Sequence, residues 1–201
     1  MVSAKMNNKP YIERGSCMKP RENVQPLRSA EEIEEFRQAL DRGRTAERDR
    51  LLFDLGINTG LRISDLLPLK VGDVRGKTEV IIQEQKTKKR RTVFLHTIMP
   101  EIAEYVEGKS DEEYLFASER TGRPISRTQA YRVFQKAADW IGREDIGTHT
   151  LRKTFGYHYY QQTKDIGTLM IILNHSSETI TKRYLGIEDS KIEEQFKMFK
   201  L

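Results

Sequence analysis

Leu173-Asn174-His175-Ser176-Ser177-Glu178-Thr179-Ile180-Thr181-Lys182-Arg183-Tyr184 is the stretch that decides how the chain is read. Ser176 or Ser177 is a helix-opening residue, and His175 precedes Tyr184 by nine positions. Taken alone, the stretch is a helix that packs one aromatic ring into a core. A phenol ionises only at about pH 10 and is a weak nucleophile at neutral pH. Tyr184 becomes chemically interesting only if the chain brings cations to whatever it attacks.

The chain supplies them at three places. Arg62 follows the Thr59-Gly60 break and opens a short helix, so its guanidinium projects from a fixed backbone. Lys86-Thr87-Lys88-Lys89-Arg90-Arg91 holds five cations in six residues between two β-branched runs, Thr78 to Ile82 and Thr92 to Leu95. That pattern predicts a β-hairpin with a basic turn, suited either to solvent or to phosphates in a DNA groove. Thr148-His149-Thr150-Leu151-Arg152-Lys153-Thr154 starts a helix. His149 and Arg152 lie three apart on it and share a face at its N-terminus, where anions are favoured.

Outward from these sites the pattern is helical. Ser29 with Glu32 reads as a capping box ahead of Ile33, Phe36 and Leu40. Leu51, Leu52 and Leu55 mark a second helix, and residues 61–69 a short one stopped near Pro68. Thr97 to Glu107 is expected to be helical and Glu112 to Ala117 a short strand. Ser126 with Gln129 caps a helix whose stripe is Ala130, Val133, Phe134, Ala137 and Ile141. Thr148 is expected to cap a helix through about Tyr160, and Asp165 another that turns Ile166, Leu169, Met170 and Leu173 inward. Ile192, Phe196 and Phe199 line a final helix. Residues 1–26, broken by prolines, read as an extended arm or an added leader. The expected fold is mainly α with a small antiparallel β-sheet.

At 201 residues, one domain with a sizeable core is expected. A formal charge of +5 favours an anionic partner, nucleic acid first. The single Cys17 allows no internal disulfide and suits a reducing cytoplasm. No apolar run approaches the roughly 20 residues a membrane helix needs, and no signal-peptide core is present. The four histidines lack zinc spacing with cysteine partners, and the acidic residues look like solvated faces. No Walker-type phosphate loop occurs, so neither metal nor nucleotide cofactor is expected.

The order Thr59-Gly60-Leu61-Arg62-Ile63-Ser64-Asp65-Leu66, basic hairpin, His149-Thr150-Leu151-Arg152, then Leu173-Asn174-His175-Ser176-Ser177 with Arg183-Tyr184 beyond it resembles the tyrosine recombinases of the phage integrase family. The likeness covers residues 27–188 as a catalytic domain, with 189–201 as a helical arm. It implies that Arg62 and Arg152 clamp a scissile DNA phosphate, that His149 and His175 complete the pocket, and that Tyr184 is the nucleophile. The family's catalytic lysine lies in the hairpin turn. Counting back from Arg91-Thr92-Val93-Phe94-Leu95 assigns it to Lys86, with Lys88 and Lys89 close by. Asp65 resembles an acidic partner that orients an active-site group. Lys88, Lys89, Arg90, Arg91 and Lys153 are expected to contact DNA. Thr150 and Lys153 depart from the residues many members carry there.

The resemblance implies site-specific recombination through a 3′-phosphotyrosyl bond, and a homotetrameric synapse on double-stranded DNA. The C-terminal arm would dock on a neighbouring subunit, with an accessory DNA-bending factor as a further implied partner. Two alternatives share the pattern: a DNA-binding regulator with little cleavage, and type IB topoisomerase-like relaxation.

Overall fold

The computed structural model describes residues 24–186 and Phe199. Nine α-helices and one two-stranded sheet are found among them. Helix α1 is Ala30–Asp41 and α2 is Ala46–Thr59, followed by two single turns, α3 Ile63–Leu66 and α4 Val71–Val74. Strands β1, Glu79–Gln83, and β2, Arg90–Phe94, form an antiparallel hairpin in which Val80 pairs with Val93 and Gln83 with Arg90. A 3-10 turn, His96–Ile98, leads into α5, Met99–Val106. The remaining helices are α6 Arg127–Trp140, α7 Thr148–Thr163, α8 Ile166–Leu173 and α9 Glu178–Leu185.

Helix α2 is the axis of the domain, packed against α1, α5 and α7. Its buried face carries Leu51, Leu52, Phe53 and Leu55. A side chain at Gly56 would put its Cβ 2.2 Å from Leu151 Cδ2, so only glycine permits this approach of α2 to α7. Phe36, Phe53 and Phe134 meet at the centre, with ring centroids 4.9 and 6.1 Å apart from Phe36. Most of the buried apolar side chains belong to this one cluster. A second, separate cluster holds only Leu169, Leu173 and Leu185 fully buried, flanked by Phe155, Tyr159, Tyr160, Ile166 and Tyr184.

Helix ends follow side-chain chemistry, with corrections to the sequence expectations. Ser29 caps α1 by accepting from Glu32 N–H, but the Glu32 carboxylate reaches Arg28 N–H and the Arg143 guanidinium, so the reciprocal half of the box is absent. Ser126 and Gln129 form the complete box. Thr148 is the first residue of α7 and not its cap. Gly147 is the cap, its N–H donating 3.0 Å to Thr150 Oγ1, and the helix runs on to Thr163. Residues 112–117 form no strand; they make only the isolated bridges Lys70 to Tyr114 and Ala117 to Pro124. In α8, Leu169 and Leu173 turn inward as expected, whereas Ile166 and Met170 are only half-buried. The C-terminal helix expected from Ile192 and Phe196 lies outside the described residues. No described helix is long and apolar enough to cross a membrane.

Candidate active site

Gly60 ends α2 in a left-handed turn, φ 63°, and swings the chain so that Arg62 enters a cleft at the N-terminus of α7. This cleft of about 480 Å³ is lined by Arg62, Ser64, Gln85, Lys86, Arg127, Thr148, His149 and Arg152. Four of the six expected catalytic residues thus meet in one cavity, drawn from the α2–α3 corner, the hairpin turn and the first turn of α7. Among the three turn lysines, only Lys86 lines it. Lys89 Nζ instead lies 3.4 Å from Asn174 Oδ1, at the end of α8.

Arg152 is 3% exposed and donates through its two terminal nitrogens to the carbonyls of Gly60 and Leu173. Burial pushes its pKa down to about 10, which leaves it protonated at neutral pH. His149 sits at the mouth of the cleft, exposed on one side. The packing on its other side, then the charges of Arg152, Lys153, Arg62 and Lys86, hold its pKa below the ordinary value of 6.5. His175 is lowered likewise, by burial and then by Arg152 and Arg62. Both imidazoles are therefore biased toward the neutral form.

His175 and Tyr184 are neighbours across the α8–α9 turn, their rings edge to face with centroids 5.1 Å apart. His175 Nδ1 lies 3.1 Å from Thr181 Oγ1, which fixes the ring. Ser177 caps α9 by accepting from Ile180 N–H, and Leu185, fully buried, seats the helix. Ile180, on the same helix, is 46% exposed. The Tyr184 hydroxyl is buried and has no aligned hydrogen-bond partner. Burial raises its pKa, opposed by the charges of Arg152 and Arg62 and by the approach of the Arg152 guanidinium to the hydroxyl oxygen.

Two expected DNA contacts lie elsewhere than the turn surface. Arg90 and Arg91 belong to strand β2. Alternation along the strand sends Arg91 to the same side as Val93 and Leu95, where its guanidinium donates 3.0 Å to Thr59 O. Lys153 donates 2.7 Å to Val24 O and places Nζ 5.3 Å from the centre of the Tyr184 ring. Lys88, Lys89 and Arg90 are exposed. The sequence reading missed three residues. Arg127, an exposed cation at the start of α6, faces the cleft. Glu84 is 2% exposed, with Oε2 3.0 Å from Arg62 Nη1. Thr87 donates 2.6 Å to that same carboxylate. In sequence Glu84 stands in a polar run, Gln83-Glu84-Gln85, and only the β1 alternation that buries Val80 and Ile82 marks it as inward.

The profile of the phage integrase family matches residues 28–191. The chain belongs to the phage integrase family. This integrase chain is 52% identical over 177 residues to the probable integrase/recombinase YoeC of Bacillus subtilis, covering 88% of itself and 97% of that protein. It is 34% identical over 155 residues to the tyrosine recombinase XerD of Corynebacterium glutamicum, covering 73% of itself but only 51% of XerD. The chain therefore spans nearly all of the first relative and about half of the second. The crystal structure of XerA recombinase shares its fold at TM-score 0.70 and 23% identity, over 89% of this chain and 66% of that one. A lambda integrase tetramer bound to a Holliday junction matches at TM-score 0.64 and 22% identity, over 85% and 50%. The tyrosine recombinase catalytic-domain fold, with its small hairpin sheet, is thus the fold of this integrase.

Proposed function

We propose that this chain cuts and rejoins duplex DNA at specific sites through a covalent bond to Tyr184. The observation that carries the reading is the Tyr184 hydroxyl: buried, without an aligned partner, and in the field of Arg152 and Arg62. The Arg152 guanidinium lies close to its oxygen, but no acceptor takes the hydroxyl's own proton. A buried donor left unpaired is costly unless a ligand completes it. A phosphate brought to that guanidinium supplies the acceptor.

In the proposed step Tyr184 Oη attacks a phosphodiester, the Oη–P bond forms and the P–O5′ bond breaks. The phenol proton passes to a neutral imidazole, His149, and Lys86 delivers a proton to the leaving 5′-oxygen. Arg62, Arg152 and His175 hold the charge that grows on the non-bridging oxygens. One such preorganised donor contributes about 10²–10³ in rate. The phosphotyrosyl bond keeps the phosphodiester's energy, so a 5′-hydroxyl from a second duplex reverses the step with strand exchange. Every proton and charge in this scheme is carried by side chains, without metal or nucleotide.

Lys88, Lys89 and Arg90, exposed on the hairpin, are the proposed backbone contacts, joined by Arg127 at the rim. Arg91 and Lys153 are assigned internal roles. A synaptic tetramer, a C-terminal arm that docks in trans, an accessory bending factor and a cytoplasmic setting belong to the same proposal. The dimers and tetramers of lambda integrase on DNA support the assembly by likeness of fold.

The test is a nicked duplex that traps the covalent intermediate, resolved on denaturing gels. Wild-type protein is expected to give an adduct and Tyr184→Phe none. An adduct that survives in Tyr184→Phe overturns the nucleophile. No adduct on any duplex, including junctions of the element that encodes the chain, favours a DNA-binding regulator.

A further inference from the structure

Lys86 has no fold of its own to hold it. It sits between Gln85 and Thr87 in a turn that closes with Lys88 N–H donating 2.8 Å to Glu84 O and Glu84 N–H donating 3.0 Å to Lys89 O. Lys88 takes a left-handed conformation, φ 58°, to make that closure. A lysine with four rotatable bonds on such a turn needs its backbone fixed if it is to meet one oxygen of a substrate.

Both neighbours of Lys86 are tied to buried carboxylates. Gln85 N–H donates 2.9 Å to Asp65 Oδ1, and Thr87 Oγ1 donates 2.6 Å to Glu84 Oε2. Both carboxylates also lie against the Arg62 guanidinium, Glu84 at 3.0 Å and Asp65 at 4.0 Å. Burial opposes ionisation of Glu84, but the Thr87 hydroxyl and the charges of Arg62 and Arg152 outweigh it and keep its pKa below the ordinary range. An anion next to a phosphate-binding arginine weakens the attraction for phosphate, and a buried charge is costly to place. A pocket built only to attract phosphate has no use for it.

We propose that Glu84 is a positioning residue that fixes the hairpin turn, and with it Lys86, relative to Arg62. The inference rests on the recombinase reading above. One oxygen, Oε2, performs both tasks: it takes the Thr87 hydroxyl and faces Arg62 Nη1. The arginine that holds the phosphate and the lysine that protonates the leaving group are thereby set at a fixed distance through one carboxylate.

Two variants separate the tasks. Thr87→Val removes the tie to the turn and leaves the ion pair. Glu84→Gln keeps an acceptor for Thr87 and removes the charge beside Arg62. Each is assayed for adduct formation on two duplexes of the same sequence, one ordinary and one with sulfur replacing the bridging 5′-oxygen. A thiol ionises at about pH 8.5, far below an alcohol, so the P–S bond breaks to release a thiolate without a donated proton. Thr87→Val is expected to slow cleavage of the ordinary duplex roughly tenfold to a hundredfold, part of the 10²–10⁴ a general acid contributes. On the sulfur duplex it returns to the wild-type rate. Glu84→Gln slows both, because Arg62 acts on either substrate. Thermal melts show whether each variant is folded. Equal slowing of Thr87→Val on both duplexes, or no slowing in either variant, overturns the inference while the wild-type adduct leaves the recombinase reading standing. Absence of a wild-type adduct on both duplexes overturns that reading, and the inference with it.

Discussion

The two halves of the site stand on unequal foundations. Arg62, Lys86, His149 and Arg152 are mounted on elements that share the large core around Phe36, Phe53 and Phe134. Tyr184 and His175 are mounted on α8, α9 and their turn, where three leucines are the fully buried apolar side chains among the described residues. Cores of such different size open at different free energies, since local stability follows the apolar contact that must be broken. On the proposed mechanism, the half that would bind phosphate is the more heavily packed part of the molecule, and the half that would carry the nucleophile is the more lightly packed.

The largest effect is expected from the large core. Phe53→Ala removes a fully buried ring and is expected to cost about 3–5 kcal/mol, read as a lower urea midpoint for the whole domain. DNA binding and cleavage fall together. If cleavage alone falls, the two halves are less distinct than the packing implies.

Leu185→Ala tests the small core. It is expected to cost about 2 kcal/mol, near the low end for a leucine because the small cluster can collapse. Most of that loss is local. Hydrogen exchange should quicken in α8 and α9 with little change in α2, and adduct formation should drop while affinity for DNA stays near wild type. Equal quickening in α2 breaks the comparison.

The smallest effect is on pH dependence. His149 and His175 have folded-state pKa values below 6.5, so the unfolded chain binds their protons first as pH falls. The stability they contribute is whole above pH 6.5 and is lost below it, as pH drops through their lowered values. His175→Gln should flatten that slope in the exchange of α8 and α9, and His149→Gln in the urea midpoint of the domain. An unchanged slope in both places shows that the imidazoles are not held neutral.

Much of this was legible in the chain. Caps and stripes located α1, α2, α6 and the hairpin because local chemistry decides those features. The family motifs named four of the residues that line the cleft and the His175–Tyr184 pair. What escaped the reading depends on partners far away in sequence. Glu84 looks like a solvated residue until Arg62 arrives beside it from 22 positions away. Arg91 was grouped with its basic neighbours by charge, although the alternation that buries Val93 also turns Arg91 inward. Residues 112–117 have strand-like composition but find no continuous strand to pair with, only single bridges to Lys70 and Pro124.

Arg152 lies on the seam between the two foundations, and its donors can be counted. A guanidinium has five N–H groups in one plane. One terminal nitrogen serves Gly60 O, at the end of the large-core helix α2, and the other serves Leu173 O, at the end of α8. Each spends one proton, and the remaining N–H groups face the Tyr184 oxygen and the cleft. Lysine offers three donors from one nitrogen and no plane, so two carbonyls would leave it one donor for an anion and no paired fork. The side chain proposed to grip the substrate thus also ties the end of α8, and the tyrosine beyond it, to the end of α2.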